Sequence, residues 1–326
     1  MVLHTIPRLY CPFPSLAHPC EDEIEHHTNS WMLEFNLVNS IETLTHYKKQ
    51  RFPSFISRSF PEADFVDICN WSDLNALLFI LDDKIDGEGI TPDKASFIQF
   101  EERFLDVLIH HKKCIPEDGP LLLALSDFWS RMCQRTSTKW QEKFIKDIRD
   151  MFAGGMWQLE LLISGSTPDL QEYVRYRQYF GAAHLSTDVL EVTGHITLPE
   201  EVYSHPLIHK LTEIARNTIC FSNDLFSLSK ETMEEHNGGE FNLVIVLKRK
   251  FNLTIEQAIA RTASIHDDLV AEFIDLSGRI HVFDEPINQM VNKYRIALEY
   301  LMSGNIYWST KVTSRYPHIY SPALKP

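Results

Sequence analysis

Asn223, Ser227 and Glu231 follow one another at intervals of four within the segment Phe221–Glu231. On an α-helix each step of four turns about 400°, so the three side chains stay within an arc of roughly 80°. An amide oxygen, a hydroxyl and a carboxylate are all hard ligands. The set suits Mg²⁺, which prefers oxygen and takes few protein ligands where phosphates supply the rest. Lys230, next to the carboxylate, could meet a phosphate oxygen as a point charge. A second acidic cluster lies upstream, in Asp82-Asp83-Lys84-Ile85-Asp86-Gly87. Asp82 and Asp86 are again i and i+4, and Gly87 stands where a helix C-terminus would need it. The stretch Leu74–Leu81 before it is apolar apart from Asn75. Carboxylates at the end of a buried helix are costly unless paired or metal-bound. Two oxygen stripes, each opening from an apolar stretch, predict a metal cluster at the mouth of an apolar cavity.

These stripes need helices to carry them, and the spacing of apolar residues predicts helices almost everywhere. Ile24, Trp31, Phe35 and Val38 share a face within Glu21–Asn39, and a longer helix from Glu62 to Asp83 ends in the acidic cluster. Thr91 as N-cap with Pro92 at the first position predicts a helix reaching His111. Further helices are predicted over Leu121–Arg135, Trp140–Ile163, from Ser166-Thr167-Pro168-Asp169 to Phe180, over Leu207–Glu231, Thr254–Phe273 and Glu285–Met302. Gly154-Gly155 is a candidate kink or close helix contact. Gly304 is expected to stop the last helix, and His236–Gly239 reads as a mobile loop before structure resumes at Phe241-Asn242-Leu243-Val244. Four prolines in residues 1–20 make an extended arm. Strand alternation never persists and no repeat recurs. The expectation is an all-α fold of ten to twelve helices, with an arm over 1–20 and one helical domain over 21–326.

The 326 residues are 44% hydrophobic and carry a net charge of −14. Such a chain can bury a sizeable core. Its acidity disfavours nucleic acid and anionic membranes. The six cysteines are scattered without a CxxC pair, which suits reduced thiols. Without a signal-peptide core or a membrane-length apolar run, the protein is expected to be soluble and cytoplasmic. The fifteen histidines show no metal-ligand spacing.

The two oxygen motifs together resemble those of the class I terpene synthases of microbial type. Asp82-Asp83-x-x-Asp86 matches that family's aspartate-rich motif. Asn223-Asp224-x-x-Ser227-x-x-Lys230-Glu231 matches its second metal motif, in the family's order and about 140 residues downstream. The resemblance covers essentially residues 12–320. It implies a helical bundle around a deep cavity, with three Mg²⁺ ions at its mouth. Asp82 and Asp86 would bind metal on one side, and Asn223, Ser227 and Glu231 on the other. The later acids of such motifs, Asp83 among them, often orient arginines. Arg177 lies 46 residues before Asn223 (223 − 177), the family's separation for its diphosphate-sensing arginine. Gly181 matches the position where the family breaks that helix, although Phe180 departs from the small or polar residue usual before it. Gly304-Asn305-Ile306-Tyr307-Trp308-Ser309 and then Arg315-Tyr316 resemble the C-terminal pattern, whose Arg–Tyr pair donates to diphosphate together with Lys230. His18-Pro19 followed by Trp31 resembles the N-terminal pattern, and the arm would cover the site.

The implied reaction is loss of diphosphate from an acyclic all-trans prenyl diphosphate, C15 or C20, and cyclisation of the carbocation. Aromatic faces steady a cation through their quadrupoles. Phe79, one turn deeper than Asp82, and Trp308 are the expected walls, with Phe55, Phe60, Trp157 and Phe221 behind them. A homodimer is compatible with the family. A chain-elongating prenyl transferase would carry two DDxxD motifs, and a type II cyclase a DxDD. The reading from a different class is a non-catalytic helical scaffold or a degenerate synthase-like protein.

Overall fold

A computed structural model describes residues 3–87, 93–232, 239–280 and 282–320, with the backbone alone for 85–87. The Thr91-Pro92 helix start, positions 236–238 of the expected loop and the side chain of Asp86 lie outside the described residues. Among the described residues, regular structure is helical apart from two short strands. In chain order the helices are α1 (Glu21–Glu34), α2 (Ile41–Gln50), α3 (Phe52–Ser59), α4 (Phe65–Gly87), α5 (Lys94–Ile109), α6 (Pro120–Cys133), α7 (Thr138–Ser164) and α8 (Leu170–Phe180). Then come α9 (Ala183–Asp188), α10 (Leu190–Thr193), α11 (Glu200–Tyr203), α12 (Pro206–Glu231), α13 (Leu243–Phe251), α14 (Ile255–Ser277) and α15 (Ile287–Tyr307).

Several helices start at side-chain caps. Ser137 caps α7, Asp169 caps α8, and Thr254 with Gln257 forms a capping box on α14. The cap of α5 is Asp93, whose carboxylate accepts from Ser96 N at 2.9 Å, not the expected Thr91. A carboxylate satisfies that amide and also favours the positive end of the helix dipole. Gly154-Gly155 does not break α7. It is a close contact: a Cβ on Gly154 would lie 2.8 Å from Phe180 N on α8.

Gly304 does not end α15 either. The helix runs to Tyr307 and continues as a π-helical turn over Trp308–Val312. Glycine is needed at 304 because a Cβ would lie 2.9 Å from the Arg58 backbone of α3. Helices α2 and α3, unforeseen in the sequence, meet at Arg51, whose φ of 52° turns the chain between them.

Helix α12 packs against α14 and α15, while α3 and α4 pack together and α7 packs on α5 and α8. The arm runs over this bundle rather than into solvent. Its Thr5–Ile6 strand (β1) pairs in parallel with Ile319–Tyr320 (β2), and Ile6 is wholly buried. Further along, Tyr10 N donates to Asp267 of α14, Ser303 of α15 donates to the Pro14 carbonyl, and His18 N donates to Ser57 of α3. All six cysteines are unpaired. Among the described residues no helix is long and apolar enough to cross a membrane.

Candidate active site

The C-terminal half of α4, the middle of α7, the α8–α9 junction, the end of α12 and the end of α15 face a common cavity of about 350 Å³. Its wall is apolar and aromatic, with Phe55, Leu78, Phe79, Phe97, Phe152, Phe180, Ile219 and Trp308. Its mouth carries Asp82, Arg177, Asn223, Ser227, Lys230, Glu231, Arg315 and Tyr316. The predicted site residues therefore converge, with Asp86 alone undescribed.

The α12 stripe is built as its periodicity predicts. Asn223, Ser227 and Glu231 all line the cavity. Ser227 Oγ is buried and without a hydrogen-bond partner of regular geometry among the described residues. Burial, reinforced by the nearby Asp224, pushes the Glu231 carboxyl up to about 7, while Ser227 and Asn242 pull it back. An amide oxygen, a hydroxyl and a buried carboxyl on one helix face are a donor set that a hard divalent cation satisfies.

Arg177 is buried, and two partners share its guanidinium. Nε donates to Asp224 Oδ1 at 2.8 Å, and Nη2 donates to Asn223 Oδ1 at 2.9 Å. Burial opposes the arginine's charge, but Asp224, Tyr173 and Cys220 together more than offset it and hold it protonated. Asp224 also accepts from Tyr173 OH at 2.6 Å and from Leu243 N at 3.1 Å. Asp224 lies one residue round the helix from Asn223, so it faces away from the ligand stripe and anchors the arginine.

Gly181 has an ordinary φ of −85°, and the left-handed turn falls on Ala182 at 54°. The glycine is required for space, since a Cβ there would overlap Nη1 of Arg177. The break expected at Gly181 is present: α8 ends at Phe180 and α9 begins at Ala183, with the left-handed residue of the junction on Ala182 and Gly181 leaving room for the arginine.

The upstream cluster is tied to the C-terminal segment. Arg315 forks onto Asp83 (2.8 and 3.1 Å), touches Asp82 Oδ2 at 3.2 Å and donates to Gln50 at 2.7 Å. The Asp82 side chain remains about half exposed, whereas that of Asp83 is largely covered. Asn223 Nδ2 donates to Tyr316 OH at 2.9 Å, and burial keeps that phenol protonated. Lys230 lies 3.7 Å from Asp83, so the two motifs are in direct electrostatic contact.

Phe79 stacks on Phe52 with centroids 4.2 Å apart, and Trp308 closes the same wall at 5.9 Å from Phe79. Trp308 is fixed by donating Nε1–H to the Arg51 carbonyl at 2.8 Å. Of the second-line aromatics only Phe55 lines the cavity. Trp157 stacks on Tyr176, Phe60 packs edge-on to Trp71, and Phe221 sits in the core beside Tyr173. Phe52, Gln50 and Tyr173 gave no sequence signal as site residues, because each acts through a partner far away in the chain; Asp224 was part of the second metal motif, but its anchoring of Arg177 was not legible.

The family pattern "Terpene synthase family 2, C-terminal metal binding" matches residues 73–272, which span both motifs. The chain belongs to this family. As a class I terpene synthase it is a terpene cyclase that binds divalent metal. Among curated terpene synthases it is similar to the germacrene A synthase of Nostoc punctiforme, at 28% identity over 93% of this chain and 92% of that one. It is similar also to the (+)-T-muurolol synthase of Roseiflexus castenholzii, at 29% identity over 95% and 94%. The crystal structure of a-eudesmol synthase superposes with a TM-score of 0.80 at 24% identity, covering 93% of this chain and 98% of that one, and so shares the terpene synthase fold.

Proposed function

We propose that this terpene synthase ionises farnesyl diphosphate with the help of Mg²⁺, three ions per site, and cyclises the cation to a sesquiterpene. The observation that carries this reading is the meeting of two oxygen motifs and three cationic side chains at the mouth of one aromatic cavity, joined through Lys230 and Asp83. Asn223, Ser227 and Glu231 would hold one ion, and Asp82 with Asp86 the others. Bound divalent ions neutralise charge on a departing diphosphate.

Arg177, Lys230, Arg315 and Tyr316 would donate to the diphosphate oxygens, with the arginines presenting fixed forks matched to phosphate geometry. The hydrocarbon tail would lie against Phe79, Phe55 and Trp308, where ring faces attract a cation by ~2 kcal/mol or more once water is excluded. The (+)-T-muurolol synthase is described as cyclising (2E,6E)-farnesyl diphosphate. A cavity of about 350 Å³ lies at the small end of the ~300–1,000 Å³ usual for small-molecule sites, which favours C15 over C20.

The test incubates the protein with Mg²⁺ and, separately, geranyl, farnesyl and geranylgeranyl diphosphate, and analyses extracts by gas chromatography–mass spectrometry. A cyclic C15 product that EDTA abolishes is expected, with Glu231→Ala reducing turnover at least ~100-fold. Cyclic product from geranylgeranyl diphosphate alone would overturn the chain length. Full turnover by Glu231→Ala would overturn the metal assignment.

A further inference from the structure

Beside the ligand stripe lies a residue that touches neither cavity nor solvent. Asn242 is fully buried at the start of α13 and has both side-chain polar atoms engaged. Its Nδ2 donates to Glu231 Oε2 at 2.9 Å and to the Asp224 carbonyl at 2.6 Å. Its Oδ1 accepts from Val244 N at 2.9 Å and so caps the helix. The next residue contributes too: Leu243 N donates to the Asp224 carboxylate at 3.1 Å. The first turn of α13 is therefore a docking plate for both acids of the second motif. Its backbone holds Asp224, which in turn fixes Arg177, and its side chain holds Glu231.

We infer that Asn242 is a positioning residue that presents the Glu231 carboxylate to a divalent cation. The inference rests on the proposed role of Glu231 as a metal ligand. A glutamate has three side-chain torsions to fix. A donor on Oε2 restricts the carboxylate's orientation, and the same amide nitrogen references it to the α12 backbone two turns earlier. Groups that hold a metal ligand in this way typically matter 10–100-fold in metal affinity. A cap alone would matter for folding and leave metal affinity in the folded protein unchanged.

Serine and aspartate separate the two roles, because both are good N-caps and neither can donate as the Asn242 amide does. The experiment titrates Mn²⁺ in the presence of inorganic diphosphate, followed by electron paramagnetic resonance, for wild type, Asn242→Ser and Asn242→Asp. Circular dichroism melts run in parallel. Asn242→Ser avoids the extra charge beside Glu231, and Asn242→Asp provides a second cap should the serine variant not fold.

The expected result is at least tenfold weaker Mn²⁺ binding in each folded variant. A change of less than threefold in either folded variant would overturn the inference. Absence of diphosphate-dependent Mn²⁺ binding in the wild type would instead remove the metal site itself, and the positioning role with it.

Discussion

At the scale of the residue, Gly181 and Arg177 form a single unit. The arginine's guanidinium occupies the volume where a side chain at 181 would begin. Gly181→Ala should therefore fold, because the overlapping atom is the far end of a flexible side chain. It should also push the guanidinium off Asp224 and Asn223. A displacement of about 1 Å at a catalytic group can cost 10²-fold, so kcat/KM is expected to fall by about that factor. Steady-state kinetics beside a thermal melt check this; unchanged kcat/KM would show that the arginine tolerates the move. Glycine at 181 was legible as a special position, but its reason was not. Steric competition between residues four apart depends on where the longer one is pulled, and here Asp224, 47 residues away, does the pulling. Asn223, Ser227 and Glu231 were readable because helix periodicity alone aligns them. Asn242 was not, since it falls outside the second metal motif, 11 residues beyond the glutamate it orients.

At the scale of the element, α9 is the short helix that turns the cavity wall after Ala182, and it is fixed from behind. Asp188 at its end pairs with Lys143 at 2.8 Å and accepts from Tyr203 OH at 2.9 Å, with Arg216 3.4 Å away. Asp147 of α7 stands beside Asp188. Burial, together with that neighbouring carboxyl, pushes Asp147 up to about 9. Burial works against the ionised Asp188, but its contacts with Asp147, Arg216 and Lys143 hold it below the usual carboxylate range. The pair keeps one proton in the fold that the unfolded chain loses near pH 4. Native protein thus binds more protons than unfolded protein from about pH 4 up to about 9, and stability from this pair falls as pH rises through that window, by at most ~1.4 kcal/mol per unit. Asp147→Asn fixes the neutral form and should flatten the slope. Urea unfolding at pH 5, 7 and 8 measures it, and equal slopes in wild type and variant would refute the shared proton. The long helices were legible from periodicity and caps. The short ones, α9 to α11, were not, because helices of four to six residues have too few turns to show a period. Gly304 misled because in the sequence a helix-ending glycine and a contact glycine are identical, and only the neighbouring α3 decides.

At the scale of the whole molecule, the N-terminal arm pairs with the C-terminal segment that supplies two site residues. The segment bearing Arg315 and Tyr316 continues directly into β2, which β1 covers. Replacing Ile6 by Asn removes about 1.5–3 kcal/mol of side-chain burial from that pairing. Amide exchange over residues 315–320 should quicken at least tenfold in Ile6→Asn, while α12 stays protected. Hydrogen-exchange mass spectrometry reads both, and unchanged exchange over 315–320 would show that β1 does not hold the segment. The prolines of the arm were enough to predict an extended chain. Its route, from β1 past α14 and α15 to α3, was not legible, since isolated side-chain and backbone bonds leave no period.

That pairing also sets an order in time. Leu9 and the Tyr320 hydroxyl that it bonds are 311 residues apart, so a growing chain carries the early strand long before its complement exists. The α12 stripe and most of the aromatic wall come from earlier residues, but Trp308, Arg315 and Tyr316 join them only after nearly every helix has been synthesised. A nascent chain therefore gathers its acidic groups first and its final cationic clasp last, so the competence to expel a leaving group arrives only once the enclosure that shields a cation is complete.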